Sequence, residues 1–314
     1  HGLANGDVLL GTDREGVLRW ELEHDAFVPV ALADGRRLTR ISAIEPARAG
    51  GAWVSGELGL YYYDPASGLL HAVEIGHSHA RTGTRVFDVL ELADGSLWVA
   101  TSPGVYRRGP GKDLFEPVRV ADPVLDRRLT GRDAWELQAD AQGRVWVGMI
   151  RDGVLVVEPD GLAWAPQGLD GSDDLHAGTT VRALLPVDGQ MWVATDGQGL
   201  FRVQGRQARR QPVNLTEFLG GRNFHVLELI RAKDGRVWAA SDRGVFHLDP
   251  APQGVVELDL SLSAEHPYEQ PSMVRSLLLD ERQRLWVGMF GGVVQVLDLR
   301  SGQRELIALP PPLD

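Results

Sequence analysis

Arginine and aromatic side chains at positions that differ between otherwise repeated segments are the residues of this sequence best suited to bind a ligand. Guanidinium groups bind carboxylates through paired N–H donors, and aromatic rings offer a flat apolar face. Together they predict a site for a small anionic or carbohydrate-like ligand. The alternative is that each arginine pairs with a neighbouring Asp or Glu. The candidate ligand-binding residues are Arg40, Arg85, Trp135, Arg151, Arg182, His225, Arg243, Arg275 and Phe290.

Three carboxylates at one repeated position, Asp88, Glu136 and Glu228, are the candidates for catalysis. Paired carboxylates can act as general acid and base if burial separates their pKa values. This arrangement would suit a lyase or glycosidase acting on uronate-containing or other sugars. Recurrence at one register position is equally typical of a structural role, in which a carboxylate accepts hydrogen bonds from backbone amides. The sequence contains no Gly-x-Ser-x-Gly, phosphate-binding loop or His-Glu-x-x-His motif.

Two short segments could hold a metal ion. His77 and His79 have a spacing that can hold a metal from one side of an extended segment. Residues 170–176 carry three aspartates and a histidine but lack the spaced loop of a calcium hand. We therefore expect no cofactor, with a divalent metal such as calcium as the alternative.

Charge and composition restrict the partners. The 314 residues include 32 basic and 43 acidic side chains, a net charge of −11 that disfavours binding to nucleic acid and anionic membranes. There is no cysteine, so disulfides and thiolate metal sites are excluded. No stretch reaches the roughly 18 apolar residues of a membrane span, and we expect no direct membrane insertion by this chain.

A seven-residue motif, GRVWVGM at residues 143–149, is one of seven similar copies spread along the whole chain. Such a period indicates a repeat architecture. The repeated Trp lies in an alternating strand close to small residues, so we interpret it as a packing residue between repeats. The fourth positions of the copies are Leu9, Trp53, Trp98, Trp146, Trp192, Trp238 and Trp286.

Each repeat predicts four short strands separated by Asp- and Gly-containing turns, and helical periodicity is absent. Four strands in about 45 residues are typical of a propeller blade. We therefore predict an all-β fold, a seven-bladed β-propeller of four-stranded antiparallel blades forming a single domain over residues 1–314. The first repeat lacks an innermost strand before Gly6, so the first blade is expected to be incomplete. Residues 309–314, with three consecutive prolines, are expected to start a linker.

The repeats resemble the two-component regulator propeller repeat. Residues 86–106 (VFDVLELADGSLWVATSPGVY) and 274–293 (VRSLLLDERQRLWVGMFGGV) carry the resemblance best. It implies a periplasmic or extracellular sensor region that binds a ligand without catalysis and is joined to further domains, a histidine kinase or diguanylate cyclase, of the same polypeptide. A cytoplasmic location stays open, as do two alternative functions, the enzyme described above and a protein-interaction scaffold.

Overall fold

The computed structural model describes residues 1–3, 5–21, 23–24, 26–75, 84–168, 178–210, 225–248, 255–258, 273–289 and 293–308. The chain divides into two compact units, His1–Trp164 and Ala165–Leu309. The predicted linker at 309–314 lies outside the described residues, and the single-domain assignment stays a prediction.

The first unit contains four antiparallel sheets, and in each the strands pair in chain order. The first sheet has three strands and the others have four. The strands are β1 (Val8–Gly11), β2 (Val17–Glu21) and β3 (Ala26–Val30); β4 (Ile41–Pro46), β5 (Ala52–Gly56), β6 (Gly59–Asp64) and β7 (Leu69–Val73); β8 (Val86–Glu91), β9 (Leu97–Thr101), β10 (Gly104–Arg108) and β11 (Glu116–Pro117); and β12 (Ala134–Ala139), β13 (Val145–Met149), β14 (Val154–Val157) and β15 (Ala163–Trp164).

The second unit contains three sheets, and the strands of its last two also pair in chain order. In the first of them, a short strand pairs in parallel with the outermost strand, so that sheet has five strands. The strands are β16 (Gln167–Gly168), β17 (Val181–Val187), β18 (Gln190–Thr195), β19 (Gly199–Gln204) and β20 (Gln207–Arg210); β21 (Val226–Arg231), β22 (Val237–Ser241), β23 (Gly244–Leu248) and β24 (Val255–Leu258); and β25 (Val274–Leu279), β26 (Arg284–Met289), β27 (Val293–Asp298) and β28 (Arg304–Ala308). The seven sheets found in the described residues confirm the predicted class, a seven-bladed β-propeller.

The repeated Trp residues pack between neighbouring sheets of the same unit. Trp53 clusters with Val86, Val89 and Leu97 of the next sheet, and Trp192 clusters with Val226 of the sheet that follows it. These contacts remove large apolar surfaces from water and so hold successive sheets together. The interpretation of the repeated Trp as a packing residue is consistent with this arrangement.

In two repeats the Asp-containing turn before the Trp also contributes to the packing. Asp140 accepts hydrogen bonds from the backbone and the Nε atom of Arg144, at 3.1 and 2.6 Å, and from Trp146 Nε1 at 2.7 Å. Asp280 forms the same bonds with Arg284 and Trp286. One carboxylate therefore closes the turn and satisfies the indole N–H of a Trp that is otherwise buried.

The described residues contain one short helix that the sequence did not predict. Helix α1 (Pro123–Gly131) connects the third and fourth sheets. Asp122 caps it by accepting the N–H groups of Val124 and Leu125, and Pro123 occupies the first turn. Because Leu129 is the one residue that this helix buries, it leaves no apolar periodicity in the sequence.

The first sheet has three strands, in agreement with the predicted incomplete blade. The free edge of β1 is nevertheless partly covered. Gly2 bridges Val8, and Leu9 N–H donates to the carbonyl of His1 at 2.7 Å. Residues ahead of Gly6 thus begin an inner pairing that the sequence did not predict.

Candidate functional site

Every first strand of a four- or five-stranded blade contains a β-bulge at the same register position. In each of the six strands the pairing shifts between the apolar first residue and the residue two places later. A bulge leaves one residue outside the regular ladder and redirects its side chain. First strands of adjacent blades also contact each other within each unit. The bulged residues are Ser42, Phe87, Trp135, Arg182, Leu227 and Arg275.

In the first unit, bulged residues of two adjacent blades form an aromatic stack that carries a cation. The rings of Phe87 and Trp135 are 4.8 Å apart at an interplanar angle of 23°. The Arg85 guanidinium carbon lies 4.6 Å from the centroid of the Phe87 ring. Phe87 is buried, Trp135 is half-buried and Arg85 is exposed. The structure thus brings together two of the predicted site residues, Arg85 and Trp135, through an aromatic ring between them.

Arg85 differs electrostatically from two other predicted arginines, Arg40 and Arg182, which pair with Glu57 and Asp196. Within the described ranges it forms no ion pair with any Asp or Glu. Its positive charge is instead held over the negative face of an aromatic ring, a contact that leaves the N–H donors at the guanidinium edge available. An exposed guanidinium of this kind can still bind the carboxylate of a ligand.

Loop contacts between the third and fourth blades hold this stack. Ser102 N–H donates to the carbonyl of Arg85 at 3.2 Å, and Ser102 Oγ donates to Asp133 Oδ1 at 2.8 Å. Gly104 adopts a φ of 95°, and an added Cβ would lie 3.0 Å from the carbonyl oxygen of Thr130 at the end of α1. The close approach of this helix end therefore requires glycine, which accepts positive φ without strain.

In the second unit, a cluster at the corresponding end of two blades has the opposite character. Asp196 Oδ2 accepts from Arg182 at 2.7 Å, and Asp196 Oδ1 contacts His225 Nδ1. His225 N–H also donates to Asp242 Oδ1 at 3.0 Å. Burial acts to raise the pKa of Asp196, but the hydrogen bonds from Arg182 and His225 outweigh it and lower that pKa. The carboxylate is therefore ionised at neutral pH and compensates the cation beside it.

The remaining predicted ligand residues occupy separate places. Arg40 has a φ of 54° and donates to both carboxylate oxygens of Glu57, at 2.7 and 2.8 Å. Arg151 follows β13 with a φ of 57°. Arg243 N–H donates to Ser241 Oγ at 3.0 Å, and Arg275 is exposed on β25. Phe290 lies outside the described residues.

The candidate catalytic carboxylates connect blades. Asp88 is 5% exposed and accepts from the N–H of Val89 and, on the next blade, of Leu137, both at 2.7 Å. Glu228 accepts from Leu277 N–H of its next blade at 2.6 Å. Both interblade bonds span 49 residues, so they are one repeated contact. Glu136 occupies the same register position on β12 and is half-buried.

Desolvation perturbs these connecting groups. Burial raises the pKa of Asp88 to about 7 against the lowering effect of its two backbone N–H donors. Burial likewise raises the pKa of Glu228 to about 7. Such pKa values suit general acid–base chemistry. Both carboxylates, however, already accept a backbone N–H of the next blade and so link neighbouring blades.

Metal sites receive no support from the described part of the chain. There, no three His, Asp or Glu side chains lie close enough together to hold an ion. His77 and His79 lie outside the described residues, as does the acidic segment 170–176. The described residues also include no helix long and apolar enough to cross a membrane.

Two contacts made by the loops around these side chains were not predicted from the sequence. One is the shared acceptor Asp196, which joins residues of two blades. The other is the support of the Arg85 stack by Ser102 and Asp133. Both depend on which loops meet in the folded chain, and no local sequence pattern shows this.

Comparison with solved structures places the fold among known propellers. The chain is similar to the extracellular domain of BT4673 from B. thetaiotaomicron, a protein described as a hybrid two component system (TM-score 0.64, 16% identity, covering 100% of this chain and 48% of that one). It is also similar to YCF48 from Cyanidioschyzon merolae (TM-score 0.65, 15% identity, 92% and 90%). Streptogramin B lyase is a further similar structure (TM-score 0.62, 12% identity, 86% and 83%).

These similarities establish the fold and leave the function open. At such low identity one propeller fold accommodates a sensor domain and a lyase alike. The chain spans about half the length of the BT4673 domain. Scans against known protein families and against curated proteins find no match. The propeller that the sequence resemblance implied is confirmed, and function has to be argued from the site.

Proposed function

We propose that this chain is an extracytoplasmic ligand-binding sensor region of a membrane signalling protein, and that it binds a small carboxylated, ring-containing ligand such as an acidic sugar. One observation carries the proposal: the Arg85 guanidinium lies over the ring of Phe87, which itself stacks on Trp135, and it has no carboxylate partner in the described residues. The similarity to the extracellular domain of BT4673 supports the location and the sensor role.

The stack supplies two complementary contacts. The half-buried Trp135 offers an apolar face against which a sugar ring can pack, and Arg85 offers charged N–H donors for a carboxylate. Because Phe87 is buried and packed, the stack is largely preformed, which reduces the entropy lost when a ligand binds. The site lies on the bulged strands β8 and β12, where the fold tolerates sequence differences between repeats.

A second function, catalysis, is favoured by one arrangement in the other unit. A carboxylate that orients a histidine is the usual support for a general base, and Asp196 contacts His225 in this way. The similarity to streptogramin B lyase gives this alternative a precedent on the same fold. Turnover of uronate-containing oligosaccharides that is lost in His225→Ala would favour it over the sensor.

Calorimetric titration with a uronate disaccharide and its uncharged analogue tests the binding proposal. We expect saturable binding of the uronate without product formation, and Arg85→Ala should weaken it by about 10- to 100-fold because a charge-assisted hydrogen bond is lost. The matched control is Arg40→Ala, since Arg40 is neutralised by Glu57 and should change affinity less than about twofold. Equal affinity of wild-type protein and Arg85→Ala for the uronate would show that the stack is not the site.

A further inference from the structure

A groove lies at the opposite end of the sheets from the bulges, between the last two blades of the second unit. Its volume is about 370 Å³, within the range of small-molecule sites. The turn from β21 to β22 forms one wall, and the turns from β25 to β26 and from β27 to β28 form the other. The lining residues are Ala232, Lys233, Asp234, Arg236, Glu281, Gln283, Leu299 and Arg300.

Gln283 is the unusual residue in this groove. The turn from β25 to β26 has the same backbone hydrogen bonds as the turn from β21 to β22, and Gln283 occupies the place of Gly235. Gly235 has a φ of 88°, whereas Gln283 adopts a φ of 66°, a conformation that a side-chain-bearing residue accepts only with strain. Equivalent turns carry Gly95 and Gly143 at this position. The last blade therefore keeps a side chain where glycine fits better.

The Gln283 amide also lacks a partner. Its Nε2 atom is buried and forms no hydrogen bond within the described residues. A buried donor without an acceptor is unfavourable, and a rotation of the amide that brings this N–H into the groove, where a ligand oxygen can accept it, would remove that cost. Rotation of the amide exchanges its donor and acceptor ends, so the group can present an N–H to the groove.

The charges around the groove define the ligand. Arg236 donates to Asp234 at 2.7 Å, so these two side chains neutralise each other. Among the described residues, Lys233, Glu281 and Arg300 form no ion pair within 4 Å, which leaves two cations and one anion on the lining. Asp298 lies beside the groove, accepts the backbone N–H of Arg300 at 2.8 Å and offsets part of the Arg300 charge. This excess of positive charge is local, because the whole chain carries −11.

We propose that this groove is a second binding site, specific for a small polyanion with two or more charged oxygens. Lys233 and Arg300 bind its oxygens from the two walls, and the Gln283 amide donates to it from the floor. The site is independent of the Arg85 stack, which belongs to the other unit. The occupant is a soluble polycarboxylate or phosphate-bearing molecule.

Calorimetric titration with citrate and with inorganic phosphate tests the proposal. We expect citrate binding that weakens about tenfold in Lys233→Ala and in Arg300→Ala, as loss of a charged donor predicts. Gln283→Gly is the decisive variant, because it restores the glycine of the other repeats. It should raise the melting temperature of the free protein and still weaken citrate binding.

Two control variants show whether anion binding is confined to the groove. Arg282→Ala changes an exposed residue of the same turn that does not line the groove, and Arg85→Ala alters the proposed sensor site; both should bind citrate as wild-type protein does. The proposal is overturned if citrate and phosphate fail to bind, if Gln283→Gly binds them unchanged, or if Arg85→Ala alone removes binding. Binding to phosphatidylglycerol vesicles with no binding of either soluble anion would overturn it as well.

Discussion

Two regions at the bulged ends of the first strands differ in how an arginine is held. One joins the third and fourth blades, and the other joins the fifth and sixth. In the first unit Arg85 lies over the ring of Phe87, which stacks on Trp135, with no ion-pair partner among the described residues. In the second unit the bulged residue Arg182 is itself an arginine, and Asp196 neutralises its charge and also contacts His225. The difference lies in the residues placed at the bulge, since the backbone arrangement is common to both.

This contrast is the reason that Arg85, rather than Arg40 or Arg182, is proposed to bind the ligand. Arg40 and Arg182 are as cationic as Arg85, but each already has a carboxylate partner. An arginine with a partner offers a ligand little net attraction, because ligand binding has to replace an existing ion pair. An arginine held by an aromatic ring keeps its charge for the ligand.

The feature common to both units allows the strongest test. Asp88→Ala and Glu228→Ala each remove a carboxylate that accepts a backbone N–H of the next blade. Each should lower the free energy of unfolding by about 1–3 kcal/mol, since a buried N–H loses its partner. Urea denaturation measures both. If one of the two variants keeps the free energy of unfolding of wild-type protein, the interblade hydrogen bonds of Asp88 and Glu228 are not equivalent.

A smaller change is expected when pH alters the same group without removing it. The pKa of Asp88 is raised from 3.8 to about 7, so the folded state favours the protonated form. The stability that this group contributes is complete below the ordinary carboxyl pKa and is lost as pH rises to about 7. Denaturation of wild-type protein and of Asp88→Asn at pH 5 and pH 8 checks the sign. The stability advantage of wild-type protein should shrink at the higher pH, and a constant or growing advantage contradicts the assignment.

The smallest effects concern the ion pairs that distinguish the two ends. Asp196→Ala should lower the free energy of unfolding by about 1 kcal/mol, because Arg182 and His225 lose their shared acceptor in a partly exposed cluster. Glu57→Ala removes the exposed partner of Arg40 and should cost less than about 0.5 kcal/mol. Thermal unfolding of the two variants compares them. Equal costs would mean that Asp196 is no more than a surface ion pair.

The sequence predicted the fold in detail because the same strand and turn pattern occurs in seven copies. The Trp positions and the incomplete first blade follow from register alone. Helix α1 was missed because capping by Asp122 and Pro123, rather than an apolar stripe, specifies it. The sequence also offered a structural role for the repeated carboxylates as an alternative, and their hydrogen bonds to the next blade agree with that alternative.

The site was predictable in outline only. Register identified Arg85 and Trp135, since both lie beside the apolar start of a first strand. Which arginines are neutralised depends on side-chain directions and on loops brought together from different blades. Asp196 and His225 are 29 residues apart, so their contact has no local signature.

The six bulges divide the residues of each first strand into two classes. Residues on either side of each bulge form the ladder that every repeat must keep, whereas the bulged residue itself is released from pairing. Each of these blades therefore combines a common frame of paired residues with one position at which the side chain can differ. In engineering terms, side chains can be exchanged at bulged positions such as Trp135 and Arg182 while the paired residues of their strands keep their sequence.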